Sequence, residues 1–459
     1  MFCKRRYVLL ILITAVVASY LTYSFTMLRY QNLFEAEREE IVYLEDFFRV
    51  YRYAKEEFVD EVDSGKMMEG AISGLLDALN DPYTAYLTEE QYERILQQSA
   101  GSFGGVGLYV GIREEKITII APIEGTPGAE SGLMRGDEIV AVDGVDVTGM
   151  VLDEVVDMMR GEVGEIVEVT IKREGETSLR VYSIRRAIIS IETVTSAVLE
   201  NQVGYLSISE FNKNTKNDVL QALNELKKED MQGLVLDLRN NPGGILTESI
   251  EIAGHLVPPG EIVQIVSRHE MVETKSSRTK GIEVPLVVLI NEGSASASEI
   301  IAGAVKDREA GVLVGSTSFG KASVQGIFGL SYGGGFKMTT DRYLTPKGTL
   351  IQGQGIDPHY HVYDLGDRSY AVGDFGEDIK QLQAMLYDMD YYKGFVHGDY
   401  DEKTRDALYD FLIQEEIEYD EQVGTRFHAL LIANNYRERF PEKEMEDLVL
   451  KKGIELLSR

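Results

Sequence analysis

The run VPLVVLINEGSASASEIIAGAVKD, residues 284–307, reads as a buried strand, a tight turn of small residues and a helix. A serine in such a turn sits at a helix N-terminus, where unpaired backbone N–H groups and the helix end favour a developing oxyanion. A hydroxyl is a weak nucleophile and needs a base within hydrogen-bond reach. Downstream of the strand-like GVLVG, the segment GSTSFGKASVQG (315–326) offers Lys321, which acts as a base where burial lowers its pKa toward neutrality. Phe319, Ala322 and Val324 supply an apolar setting, and the amide of Gln325 can hold the amine. Taken singly, Ser294, Ser296 and Ser298 read as helix caps and packing residues, and Lys321 and Gln325 as surface residues. Their joint occurrence around one strand, turn and helix points to chemistry.

From about 202 to 365 the chain alternates Val/Ile/Leu-rich runs (VGYLSIS, GLVLDLR, IVQIVS, VPLVVLI, GVLVG) with amphipathic ones (NDVLQALNELKKE, LTESIEIAGHLV). That alternation predicts an α/β domain with buried, mainly parallel strands and a site at their C-terminal ends. Other chemistries lack residues. The six histidines include no HExxH pair, no phosphate-binding glycine loop with its lysine is present, and Cys3 is the one cysteine. No metal site and no cofactor are expected.

Outside this domain the texture changes three times. Residues 99–188 hold short β-rich segments with glycine turns, and TPGAESGLMRGDEIVAVDGVDVTG (126–149) with FGGVGLYV (103–110) resembles a PDZ domain. That resemblance implies that Gly104, Gly105, Val106, Gly107 and Leu108 present backbone N–H groups to the terminal carboxylate of a peptide added as an extra strand. Residues 34–98 carry apolar residues at helical spacing, stopped by Asp81-Pro82, and a second copy of the chain is a candidate partner for them. Residues 370–440 resemble a three-helix peptidoglycan-binding-like module, with cell-wall contact as a candidate role. Residues 441–459 form a C-terminal tail, and the acidic stretch Glu438 to Asp447 reads as a solvated surface.

Residues 7–28 contain one charge-free stretch long enough to span about 30 Å of hydrocarbon, after Lys4, Arg5 and Arg6. The positive-inside bias makes residues 1–33 a cytoplasmic start plus a single-pass anchor, with the body extracytoplasmic. A cleaved signal peptide is the rival reading. Of the net charge of −30, the first 33 residues carry +4 and the remainder −34. Such acidity repels phosphate backbones, so nucleic acid is a poor partner. With 459 residues, about three domains are expected, and 44% hydrophobic with 27% charged residues is globular composition.

The motifs NEGSASASEIIAGAVKD, GSTSFGKASVQ, VLDLRNNPGG and DPYTAYL (81–87), with the PDZ pattern, together resemble the carboxyl-terminal processing (tail-specific) peptidase family. The resemblance implies a multidomain α/β protein with a crotonase-like protease core at 189–366, a serine endopeptidase acting on proteins or peptides with accessible C-termini. It also implies Ser296 as nucleophile, Lys321 as general base and Gln325 as the residue orienting it. The oxyanion donors would be the N–H groups of Ala297 and Gly243, and Arg160 would couple the PDZ to catalysis. One departure is Ala322, where the family has glycine; if positive φ is required there, alanine costs on the order of 1 kcal/mol. The alternative is a scaffold that binds partner C-termini and cell wall around an inactive protease fold.

Overall fold

A computed structural model describes residues 38–458, apart from 114, 115, 174, 270, 416, 418–423, 441, 442, 444 and 445. The apolar segment 7–28 lies outside them. Among the described residues no helix is long and apolar enough to cross a membrane. Contacts divide the chain into residues 1–80 and 81–459.

In the first unit, helices Arg38–Glu57 and Ser64–Asp77 are separated by a break at which Asp63 caps the second, accepting from Gly65 N at 2.8 Å. Tyr43, Phe48, Val50 and Tyr53 on the first helix are exposed. The helical reading of 34–98 needs correcting beyond Asn80, which has φ of 52°. Residues 81–100 belong to the second unit and include a strand, Ala85–Leu87, before helix Glu89–Ala100. Thr88 and Gln91 cap that helix reciprocally, and Gly101 ends it at φ 69°.

The PDZ region builds a six-stranded antiparallel sheet from Leu108–Arg113, Lys116–Pro122, Glu138–Val142, Val145–Asp146, Ile166–Lys172 and Arg180–Arg185. Ile119, Val142, Val155, Val167 and Ile171 fill its core beneath helix Leu152–Met159. Its ends meet where Ser102–Gly105 pairs antiparallel with Ala187–Ser190. Gly104 and Gly105 are therefore strand residues rather than loop residues, and Leu108 opens the next strand. The turn proper is Val106–Gly107, where Gly107 has φ of 77° and Thr126 leaves no room for a Cβ.

The protease core is a six-stranded sheet in the order Val194–Val198, Val203–Ile208, Gly233–Asp237, Leu286–Ile290, Val312–Gly315, Tyr360–His361, parallel except at the first edge. Leu206, Leu236, Val288 and Ile290 face helices Thr215–Lys228, Leu246–Leu256 and Ala297–Asp307. Val203, Val235, Val287, Leu289 and Val314 face the opposite side. IVQIVS is not in this sheet: Gly260–Ser267 pairs antiparallel with Val272–Ser277 and Gly335–Leu344, in a second sheet that also takes Ala85–Leu87 and Ser323–Gly329. Its half-polar alternation suits one open face.

The C-terminal region differs from the sequence reading. Helices Glu377–Asp388, Glu402–Gln414 and Gly424–Arg439 share their own core of Leu382, Leu386, Leu408, Phe411 and Ile432. Residues 448–457, expected as tail, form a helix whose Val449 covers the outer face of the parallel sheet, with Gly453 against Val235, Val287 and Leu289. Asp447, expected in solvent, caps this helix and pairs with half-buried Arg239 at 2.7 Å. Asp237 and Asp364 complete the cage around that guanidinium at 2.6 and 2.8 Å. Burial disfavours the charge on this half-buried guanidinium, and its pairs with Asp237 and Asp447 more than offset that, so it stays charged.

Candidate active site

The strand Leu286–Ile290 is buried throughout and delivers the chain to Asn291. Asn291 Oδ1 accepts from Asn240 N at 2.8 Å and Gly293 N at 3.0 Å, so one side chain shapes two adjacent loops. The three serines then separate by role. Ser294 Oγ donates to Leu238 O at 2.7 Å and Ser298 Oγ to Asn241 O at 3.0 Å, and both residues are fully buried. Ser296 is half-buried and forms a capping box with Glu299, and among the described residues its hydroxyl is not tied into the protein interior as those of Ser294 and Ser298 are. Its φ of 53° and ψ of −110° lie outside the ordinary regions for a side-chain-bearing residue, a cost of about 1–3 kcal/mol that surrounding contacts must hold.

Two such contacts were not read from the sequence. Glu299, completely buried one turn into the helix, accepts from Ser296 N at 2.9 Å and from Lys321 N at 2.8 Å through Oε2. Its Oε1 accepts from Ser318 Oγ at 2.6 Å and Gly320 N at 2.7 Å. Burial pushes this carboxyl above its ordinary value while the hydrogen bonds pull it down. Four converging donors leave no place for an acid proton, so the geometry calls for the carboxylate. Tyr343 is the second contact: its hydroxyl lies 3.0 Å from Ser296 O and 2.8 Å from Lys321 O. The S-x-x-E spacing of a capping box marks Glu299 in the sequence; Tyr343, 47 residues beyond Ser296, has no local signal.

A cavity of about 430 Å³ is lined by Gly243, Ser296, Lys321, Ser323, Gln325 and Tyr343, among others. Burial, with the nearby charge of Lys337, holds the Lys321 amine below its ordinary value, and Asp81 and Glu299 oppose that shift. No hydrogen bond joins Lys321 to Ser296 Oγ or to Gln325 among the described residues; Gln325 Nε2 donates instead to Thr339 Oγ1 at 3.2 Å. Catalytic hydrogen bonds often tighten only around substrate. Ser323 Oγ, in the same cavity, is buried without a hydrogen-bond partner among the described residues.

Gly243 has φ of 109°, and a Cβ there would fall 2.8 Å from Ser296 Cβ and 3.1 Å from Ala297 N. Ala297 N–H opens the helix and has no intrahelical acceptor. The expected second donor is different: Gly243 N–H already donates to Asn241 Oδ1 at 2.9 Å. Arg160, in the PDZ, does not line this cavity but a second one that shares Gln98 and Glu210 with it; it pairs with Asp157 at 3.3 Å and lies 4.8 Å from the centre of the Phe103 ring.

Residues 202–362 match peptidase family S41, residues 118–173 a PDZ domain, and residues 17–91 the N-terminal domain of the activating protease CtpB. Over 437 residues the chain is 33% identical to the carboxy-terminal processing protease CtpB of Bacillus subtilis, covering 92% of this chain and 91% of that one. It is 31% identical over 423 residues to CtpA of the same organism, covering 89% and 90%. The solved photosystem II D1 C-terminal processing protease is 32% identical with a TM-score of 0.42, over 72% of this chain and 94% of that one.

Proposed function

The chain belongs to peptidase family S41 as a carboxy-terminal processing serine protease with a PDZ domain, and from that premise we propose that it works through a Ser296/Lys321 dyad. The observation that carries this reading is Ser296, held at a strained helix N-terminus in one cavity with a lysine whose amine burial keeps below its ordinary pKa. Neutral Lys321 takes the hydroxyl proton as Ser296 Oγ bonds to the scissile carbonyl carbon. The oxyanion is received at Ala297 N–H. Collapse breaks the C–N bond, and the Lys321 ammonium returns a proton to the leaving amine. Water then attacks the acyl-enzyme carbonyl, giving a proton to Lys321; the C–Oγ bond breaks and the Lys321 ammonium returns that proton to Ser296 Oγ, restoring both groups. Gln325 orients the amine.

The turn Val106–Gly107 with its flanking residues receives the substrate C-terminus, and Arg160 relays that occupancy. The apolar segment 7–28 behind three basic residues anchors the chain as a single pass, with its body outside the cytoplasm. The exposed apolar residues of helix Arg38–Glu57 favour a second copy of the chain as partner, and the three-helix region favours a wall or assembly contact. The deciding experiment is turnover of an unstructured protein substrate by the full chain in detergent. Ser296→Ala and Lys321→Ala are each expected to abolish it, and wild-type rates in both would overturn the dyad.

A further inference from the structure

The turn Asp81–Thr84 takes no part in the reading above, yet it lies against Lys321 and is joined to Gln325 through Thr339. Strand Ala85–Leu87 pairs with Gly335–Leu344, Ala85 opposite Lys337, and so brings the turn before it to the catalytic cavity. There the centre of the Tyr83 ring lies 4.7 Å from Lys321 Nζ. Asp81 Oδ2 accepts from Thr84 Oγ1 at 2.6 Å and from Thr339 Oγ1 at 2.7 Å. Thr339 N donates to Thr84 Oγ1 at 3.1 Å, locking turn and strand together.

The direction of these bonds fixes a further group. A threonine hydroxyl has one hydrogen, and Thr339 gives it to a carboxylate, which can only accept. Thr339 Oγ1 must then face Gln325 as an acceptor, so the Gln325 amide presents its NH₂ to Thr339. That leaves Gln325 Oε1 as the end free to accept from the amine of Lys321.

We propose that Asp81 and Tyr83 are positioning residues for the base: the Tyr83 ring face holds the Lys321 ammonium, and Asp81, through Thr339, fixes which end of the Gln325 amide the amine meets. The inference rests on the Ser296/Lys321 reading. The groups bearing on Lys321 are Asp81 and Tyr83 from this turn, Glu299 from the nucleophile helix, and Lys337 and the Tyr343 hydroxyl from Gly335–Leu344. Asp81 and Glu299 favour the ammonium, Lys337 and burial the neutral amine.

The test is steady-state cleavage of an unstructured protein by the full chain across pH, with thermal melts alongside. Tyr83→Leu and Asp81→Asn are expected to lower kcat about tenfold with KM changed less than about twofold. Each also removes a group that stabilises the ammonium, so the acid limb of kcat/KM moves to lower pH. Tyr83→Phe, which keeps the ring face, restores the limb and most of kcat. Thr339→Val, which leaves the turn's own residues intact, lowers kcat while Asp81 keeps the limb in place. Wild-type kcat and limb in Tyr83→Leu and Thr339→Val, or equal damage from Tyr83→Phe and Tyr83→Leu, would overturn the proposal even if Asp81→Asn fails to fold. Failure of the dyad itself shows separately, as turnover surviving in Ser296→Ala and Lys321→Ala.

Discussion

The turn that carries the nucleophile and the loop that carries the base are held in different ways. Residues 291–299 are fixed largely by their own short-range chemistry and by the loop 238–241: Asn291 and Ser294 organise the turn, and Ala295 N and Ser298 Oγ bind Asn241 O, both at 3.0 Å. Residues 316–322 have no regular structure of their own. Their N–H groups go to partners far away in sequence: Phe319 to Ser294 O, Gly320 and Lys321 to Glu299, Ala322 to Gln352 Oε1. A strand entering a helix can preset a nucleophile, because the helix end supplies direction and donors. A lysine on an irregular loop has no such frame, so its position and pKa are set by whatever surrounds it.

Glu299 ties the two regions through four hydrogen bonds, against two from the Tyr343 hydroxyl, and removing it should have the largest effect. Glu299→Ala leaves the N–H groups of Ser296, Gly320 and Lys321 and the Ser318 hydroxyl without their acceptor. Buried donors left unmade cost about 1–3 kcal/mol each, and partial relaxation should bring the total loss to about 3 kcal/mol or more in denaturant unfolding. Turnover should fall about 100-fold, since nucleophile and base lose the main tether between them and keep only that of Tyr343. Glu299→Gln turns one oxygen into a donor and should fall between. Unchanged kcat in a destabilised Glu299→Gln protein would break the comparison, because the two regions would then be held independently.

Lys337 tests the base loop alone. Its charge helps keep the Lys321 amine below its ordinary pKa, and the working base is the neutral form, so activity rises with pH through that pKa. Lys337→Met removes the like charge, raises the Lys321 pKa, and should move the acid limb of kcat/KM to higher pH by about half a unit. Below the limb the rate should drop about threefold, with the alkaline plateau unchanged. A shift to lower pH would show that the amine titrates under some other control.

This contrast also explains what was legible in the sequence. The strand, turn and helix of 284–307 can be read because periodicity and small residues act over a few positions, and Glu299 was within reach as a capping-box residue. Tyr343 and Thr339 were not, because what matters about them is the neighbour that sheet pairing brings, not their local pattern. The acidic end was misread for the same reason. Asp447 looks solvated until Arg239, 208 residues earlier, is placed beside it. Val449 and Gly453 look like tail until the outer face of the sheet needs a cover. IVQIVS has the composition of a core strand, and only its partners decide between the parallel sheet and the antiparallel one.

The smallest expected effect concerns Ala322, where the family resemblance implies glycine and, if positive φ is required, strain. Ala322 does not have positive φ; the glycine requirement lies two residues earlier, at Gly320, with φ of 86° and Gly355 N 2.7 Å from where a Cβ would be. Ala322 is fully buried, its N–H bound to Gln352 Oε1 at 2.8 Å and its carbonyl accepting from Tyr343 N at 2.9 Å. Its methyl packs in the core that backs the site. Ala322→Gly should therefore lower stability by about 1 kcal/mol, from the lost methyl burial and the added backbone freedom of the unfolded chain. The midpoint of urea unfolding would fall with its slope unchanged. Because two distant partners hold this residue, kcat should stay within about twofold of wild type. A gain in stability would mean that the loop is strained at 322 after all, and that the base is held against its own backbone rather than by its neighbours.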